Sequence, residues 1–118
     1  MASKPRIALI ISSTRPTRWA DKPAHWALAK MRERGDMEVE LVDLRDFDLP
    51  FFDAVASNAY VPTQDPKAKR WNETVARFDG YVVLVAEYNR SVTGPLKNAL
   101  DWDYVNWGKK PMGAIGYG

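Results

Sequence analysis

Two short runs, RIALII at residues 6–11 and YVVLVA at residues 81–86, place apolar residues side by side with no polar alternation. Successive side chains of a strand point to opposite faces, so a run that is apolar throughout needs cover on both sides. A parallel sheet layered between helices supplies that cover, whereas a one-sided antiparallel sheet does not. The two runs therefore predict central strands of an α/β fold.

The segments around them supply the helices and the remaining strands. From about Trp19 to Arg34, Ala20, Ala24, Ala27, Leu28 and Met31 recur at helical spacing, with Pro23 acceptable only in the first turn and Gly35 as the stop. MEVELVDL, residues 37–44, reads as a second strand with one partly wet face, nearer an edge. Residues 45–64 carry prolines and aromatics without a sustained period and predict a long irregular connection. Asp65 and Pro66 form an N-cap and first-turn pair, after which Ala68, Trp71, Val75 and Phe78 mark one core-facing helical face up to Gly80. GPLKNALDWDYVNWG, residues 94–108, restarts a helix with Pro95 in its first turn, and MGAIGY, residues 112–117, reads as a fourth strand. Strands and helices alternate, and right-handed crossovers then give a doubly wound parallel sheet covered on both faces.

Composition narrows the function classes. At 118 residues, 46% hydrophobic and 27% charged, the chain suits one globular domain spanning residues 1–118. With no cysteine it has no disulfide, thiol nucleophile or thiolate metal site. Its formal charge of +2 comes from 17 basic and 15 acidic residues scattered along the chain, which argues against nucleic acid as a partner. The longest apolar runs are too short to cross a bilayer and no cleavage-like site follows the first of them, so neither a membrane span nor a signal peptide is expected, and a cytoplasmic location is the default. The one histidine, His25, has no neighbouring carboxylate or thiol that would make a metal site, and reads as structural or surface.

In doubly wound sheets, ligands bind beyond the carboxyl ends of the strands where the winding direction reverses. A strand order beginning 2-1-3 makes neighbours of two polar loops, SSTRPTR at residues 12–18 and EYNRSVTG at residues 87–94. Hydroxyls near a helix start, with Arg15 or Arg18 beside them, suit an anion. The glycines of a dinucleotide fingerprint and the Gly and Lys of a phosphate-loop NTPase are both missing, so a terminal monophosphate fits better. Plainer roles remain open here: Ser13 and Thr17 also suit helix caps, Arg15 and Arg18 solvated surface charges, and Tyr88 and Asn89 an ordinary turn.

SSTRPTR, VELVDLRDFDLPFFD and above all EYNRSVTGPLKNALDW resemble the NADPH-dependent FMN reductase family of flavodoxin-like proteins, which includes quinone, azo-dye and chromate reductases. The resemblance runs from about residue 6 to the end. It implies a flavodoxin-like sheet of order 2-1-3-4 and a noncovalent FMN, reduced by NADPH or NADH and reoxidised by a small-molecule acceptor such as a flavin or quinone. It also implies a homo-oligomer, a dimer or a dimer of dimers; Phe51, Phe52 and Tyr60 are aromatics of the kind favoured at such an interface. By position, Ser13, Arg15, Thr17 and Arg18 would surround the phosphate, Glu87, Tyr88 and Asn89 would lie along the ring and ribityl chain, and Ser91, Thr93 and Gly94 would complete that loop. No side chain is expected to act as a catalytic acid, base or nucleophile, because the flavin carries the chemistry.

The chain departs from the family pattern at Ser12, where Gly is usual, and at Ala86, where Pro is usual. The family also continues past the fourth strand with a further flavin loop and a last β/α portion, which residues 1–118 are expected to lack. Two alternatives to the oxidoreductase follow from that difference: a flavin-binding electron carrier, and an interaction protein that keeps the fold without the chemistry.

Overall fold

The computed structural model describes residues 3–118. Four strands, β1 (Arg6–Ile11), β2 (Glu38–Asp43), β3 (Gly80–Ala86) and β4 (Met112–Tyr117), form one sheet in the order β2-β1-β3-β4. Each neighbouring pair runs parallel. Helices α1 (Asp21–Glu33), α2 (Pro66–Ala76) and α3 (Gly94–Asp101) connect them, and a short 3-10 turn, Leu44–Asp46, follows β2. The alternation expected from the sequence is the observed one.

The register explains why the central runs are apolar on both sides. Ala8 and Ile10 lie beside Tyr81 and Val83 and enter a core with Trp71, Val75, Leu96 and Ala99 from α2 and α3. Leu9 and Ile11, one position out of phase, lie beside Val82 and Leu84 and pack under Ala24 and Ala27 of α1. Alternation thus sends each strand into two cores. Alanines on α1 let that helix approach the sheet closely, while Leu28 and Met31 close the rim of the contact.

Local signals account for most boundaries. The Asp65 carboxylate accepts hydrogen bonds from the backbone N–H groups of Lys67 and Ala68, with Pro66 opening α2. After α1, Gly35 sits at φ +72°, the left-handed conformation that commonly ends a helix. Gly80 has a different role from the expected helix stop, because α2 already ends at Ala76 and Gly80 opens β3. A side chain there would meet Ile7 and Pro111 at 3.2 Å, so the glycine permits a close approach of chains.

The third helix is shorter than the apolar pattern suggests. It stops at Asp101, and buried Asp103 accepts hydrogen bonds from the backbone and side-chain amides of Asn106, stabilising turns instead of another helical stretch. Residues 47–64 are irregular, as expected. Among the described residues β4 pairs only with β3, and most of its residues are exposed, including Met112, Gly113 and Ala114. Among the described residues no helix is long and apolar enough to cross a membrane.

Candidate cofactor site

Parallel strands end on the same rim, and here β1, β3 and β4 all deliver loops to one cleft of about 210 Å³. Ser13, Arg15, Arg18 and Trp19 line it from the first loop, Ala86, Glu87 and Tyr88 from the second, and Tyr117 and Gly118 from the end of β4. The Arg15 guanidinium donates to the Tyr88 hydroxyl at 3.4 Å, across 73 residues of sequence. The two polar loops therefore meet, as the 2-1-3 order requires.

Both loops are tied to the sheet before any ligand is considered. The buried Ser12 hydroxyl donates to the Leu84 carbonyl of β3, 2.6 Å away. Buried Thr93 caps α3 by accepting from the Leu96 N–H, and its hydroxyl reaches the Ser12 carbonyl at 3.4 Å. Glu87 N–H donates to the Tyr117 carbonyl, joining the second loop to β4. Ser12, expected from the resemblance to stand in for a glycine, thus fills a hydrogen-bonding role in this chain.

The second loop is a tight hairpin. Tyr88 and Ser91 exchange backbone hydrogen bonds of 2.9 and 3.0 Å, and the two residues between them, Asn89 and Arg90, lie at φ 50° and 65°. Two central residues with positive φ mark a primed turn, in which Asn is well tolerated. The Glu87 carboxylate accepts from the Arg90 N–H and closes the turn from below. Tyr88 is left with part of its ring exposed toward the cleft.

Arg18 behaves differently from the phosphate ligand implied by the resemblance. Its Nε and Nη2 donate to the Asp21 carboxylate, its Nη1 and Nη2 to the Asp43 carboxylate at 2.7 Å each, and its Nη1 also to the Ser13 carbonyl at 3.0 Å. Those bonds use all five N–H groups that a guanidinium possesses. Its side chain is only 2% exposed. Hydrogen bonding to Asp43, against the cost of burial, raises the Arg18 pKa, so the cation is permanent. Burial opposes the Asp43 charge, but the bonds from Arg18 and from the Arg45 backbone outweigh it and hold that carboxyl below its usual range.

Ser13, Arg15, Arg18, Glu87 and Tyr88 therefore come together, whereas Thr17, Asn89, Ser91, Thr93 and Gly94 are not among the lining side chains. Neither Ser13 nor Thr17 caps α1, whose N-cap is Ala20 without a side-chain bond. Trp19 and Tyr117 were not singled out by sequence, yet their rings lie 5.4 Å apart at the cleft wall. The available signal for Tyr117 was its place at the carboxyl end of a parallel strand. Burial raises its phenol pKa, keeping it a neutral donor near pH 7.

A larger hollow of about 610 Å³ lies between the first loop, the 3-10 turn and the start of α3, lined by Thr14, Arg45, Leu49, Phe51, Pro95 and Asn98, among others. Its Asn98 side chain is occupied by the Phe52 N–H and the Pro50 carbonyl. The smaller cleft is the better candidate, since three strand ends and the uncommitted face of Arg15 converge on it.

Comparison with known proteins agrees with the fold. Residues 5–118 match the family described as NADPH-dependent FMN reductase. The chain is 34% identical to an NAD(P)H-dependent FMN reductase of Nectria sp over 119 residues, covering 96% of this chain and 59% of that protein. It is 33% identical to a 2-hydroxy-1,4-benzoquinone reductase of Burkholderia sp, covering 92% of this chain and 55% of that protein. The solved structure of FerB, a flavoenzyme NAD(P)H:(acceptor) oxidoreductase of Paracoccus denitrificans, superimposes with a TM-score of 0.67 at 23% identity, covering 95% of this chain and 60% of that one. The chain thus spans little more than half the length of these relatives, and its sheet is flavodoxin-like. Family profile, sequence identity and sheet order agree, and the chain belongs to the NADPH-dependent FMN reductase family.

Proposed function

We propose that this chain binds FMN in the cleft between the loops after β1 and β3, and that it serves an NAD(P)H-dependent oxidoreductase delivering electrons to a quinone, a flavin or a similar small acceptor. The observation that carries the reading is the Arg15–Tyr88 contact, which joins a phosphate-type loop to an aromatic edge. FMN presents an anionic phosphate, a polyhydroxyl chain and a flat ring. The cleft answers with an exposed guanidinium, a small buried Ser13, and the rings of Tyr88, Tyr117 and Trp19. The donor types present fit the group.

Bound FMN would supply hydride acceptance and onward electron transfer, chemistry that no side chain here provides. The chain's own residues have binding tasks. Arg15 and the backbone N–H groups around it hold the phosphate, Thr17 lies on the solvent side of that turn, and Tyr88 edges the ring. Asn89 and Ser91 hold the hairpin that presents Tyr88, while Thr93 and Gly94 fix the start of α3. Residues 1–118 act as one flavin-binding unit with a cytoplasmic setting and no nucleic-acid or membrane partner. Phe51, 87% exposed, and Tyr60, 85% exposed, support a homo-oligomeric interface, a dimer or a dimer of dimers.

The test is anaerobic spectroscopy of the protein reconstituted with FMN. Flavin absorbance that co-purifies and is bleached by NADPH or NADH, then restored by a quinone, is the expected result. Bound flavin that neither nucleotide bleaches would make the chain a carrier, and failure to retain FMN would remove the flavin reading altogether.

A further inference from the structure

Arg18 lies in the wall of the cleft yet has nothing left to donate. Its five N–H groups are divided between Asp21, Asp43 and the Ser13 carbonyl. With Arg45 Nε 3.6 Å from Asp43, the two arginines and two carboxylates of the cluster cancel, so it offers an anion no net attraction. Its value to a phosphate site has to be geometric.

We propose that Arg18 is a positioning residue, clamping the loop after β1 to the end of β2 and the start of α1 so that the backbone N–H groups of Ser13, Thr14, Arg15 and Thr17 are preset for an anionic phosphate. The inference rests on the flavin reading above and assigns Arg18, Asp43 and Asp21 a role in it. The front of the loop is already fastened, through the Ser12 hydroxyl to Leu84 and through Thr93 to the Ser12 carbonyl. Its far end is held by the Arg18 guanidinium, by the turn in which Arg18 N–H donates to the Arg15 carbonyl at 3.2 Å, and by a longer 3.4 Å bond from Arg45 Nη1 to the same carbonyl. Asp43 is the carboxyl-terminal residue of β2, opposite Ile11 in the sheet, so it is a rigid anchor. The planar fork meets two carboxylates side by side, a geometry that a lysine ammonium cannot reproduce. Arg15 is left as the arginine that meets the ligand.

The sign of one substitution separates the two roles. Asp43→Asn removes a negative charge beside an anion site and frees Arg18 donors, so direct ligation or simple electrostatics requires FMN to bind as tightly or more tightly. Positioning requires the opposite: FMN affinity falls tenfold or more. In the ligand-free protein, NMR relaxation should show the amides of Ser13, Thr14, Arg15 and Thr17 becoming mobile. Unchanged or tighter FMN binding by folded Asp43→Asn overturns the proposal. If the unsubstituted protein itself fails to bind FMN, the flavin reading falls, and the amide measurement still decides the clamp: unchanged order in Asp43→Asn overturns it. Should Asp43→Asn not fold, Asp21→Asn takes its place, because the Asp21 side chain is 46% exposed. The same changes at smaller amplitude are expected there, and no change in either readout overturns the clamp.

Discussion

Replacing Trp71 by alanine is expected to cost about 3–5 kcal/mol of folding stability, the range for truncating a large buried aromatic. Trp71 is 1% exposed at the centre of the core between the sheet and helices α2 and α3. Phe47 meets it edge-on, with ring centroids 5.1 Å apart, and Trp107 lies 6.1 Å away. Its indole N–H also donates to the Ala99 carbonyl at 2.9 Å, so truncation leaves that buried acceptor unpaired as well as opening a cavity. Domains of this kind are stable by only about 5–15 kcal/mol, so the variant should unfold at much lower denaturant concentration. Equilibrium urea unfolding checks it. A loss below about 1 kcal/mol would mean that Trp71 is not the centre of the packing.

Arg15→Ala should weaken FMN binding by about 1.5–3 kcal/mol, the usual worth of a charge-assisted hydrogen bond to an anion. That corresponds to a dissociation constant raised about 10- to 150-fold. Arg15 is exposed and its side chain contacts Tyr88 at 3.4 Å, so the fold should be untouched. Riboflavin, which lacks the phosphate, provides the control: its affinity should not change. Equal losses for FMN and riboflavin would place Arg15 at the ring end of the ligand, and no loss would take it out of the site.

The fold was readable because the strands are buried on both faces. RIALII and YVVLVA have to be central, MEVELVDL carries exposed Glu38 and Glu40 and has to be peripheral, and parallel pairing with right-handed crossovers leaves few orders to choose from. The site was readable only as far as chain direction determines it. Parallel strands bring their carboxyl ends to one rim, which put Arg15 beside Tyr88. What a given arginine does there depends on partners distant in sequence. Asp43, 25 residues from Arg18 in sequence, takes hydrogen bonds from Arg18 Nη1 and Nη2 that the loop's own residues do not foretell. Thr93 illustrates the same limit, since a hydroxyl in the second polar loop is a buried cap. The short third helix depended on a competing local network, Asp103 with Asn106, which apolar periodicity does not register.

The claim beneath the functional reading is that loops from two separate strands form one phosphate-and-ring site on the sheet's carboxyl rim. A crystal structure of the chain soaked or co-crystallised with FMN measures this directly. The phosphate should lie against the backbone of Ser13 to Thr17 with Arg15 turned onto it, Arg18 still held by its two carboxylates, and the ring beside Tyr88. Phosphate density instead in the hollow between Thr14, Arg45 and Pro95, with Arg15 still bonded to Tyr88, would contradict it.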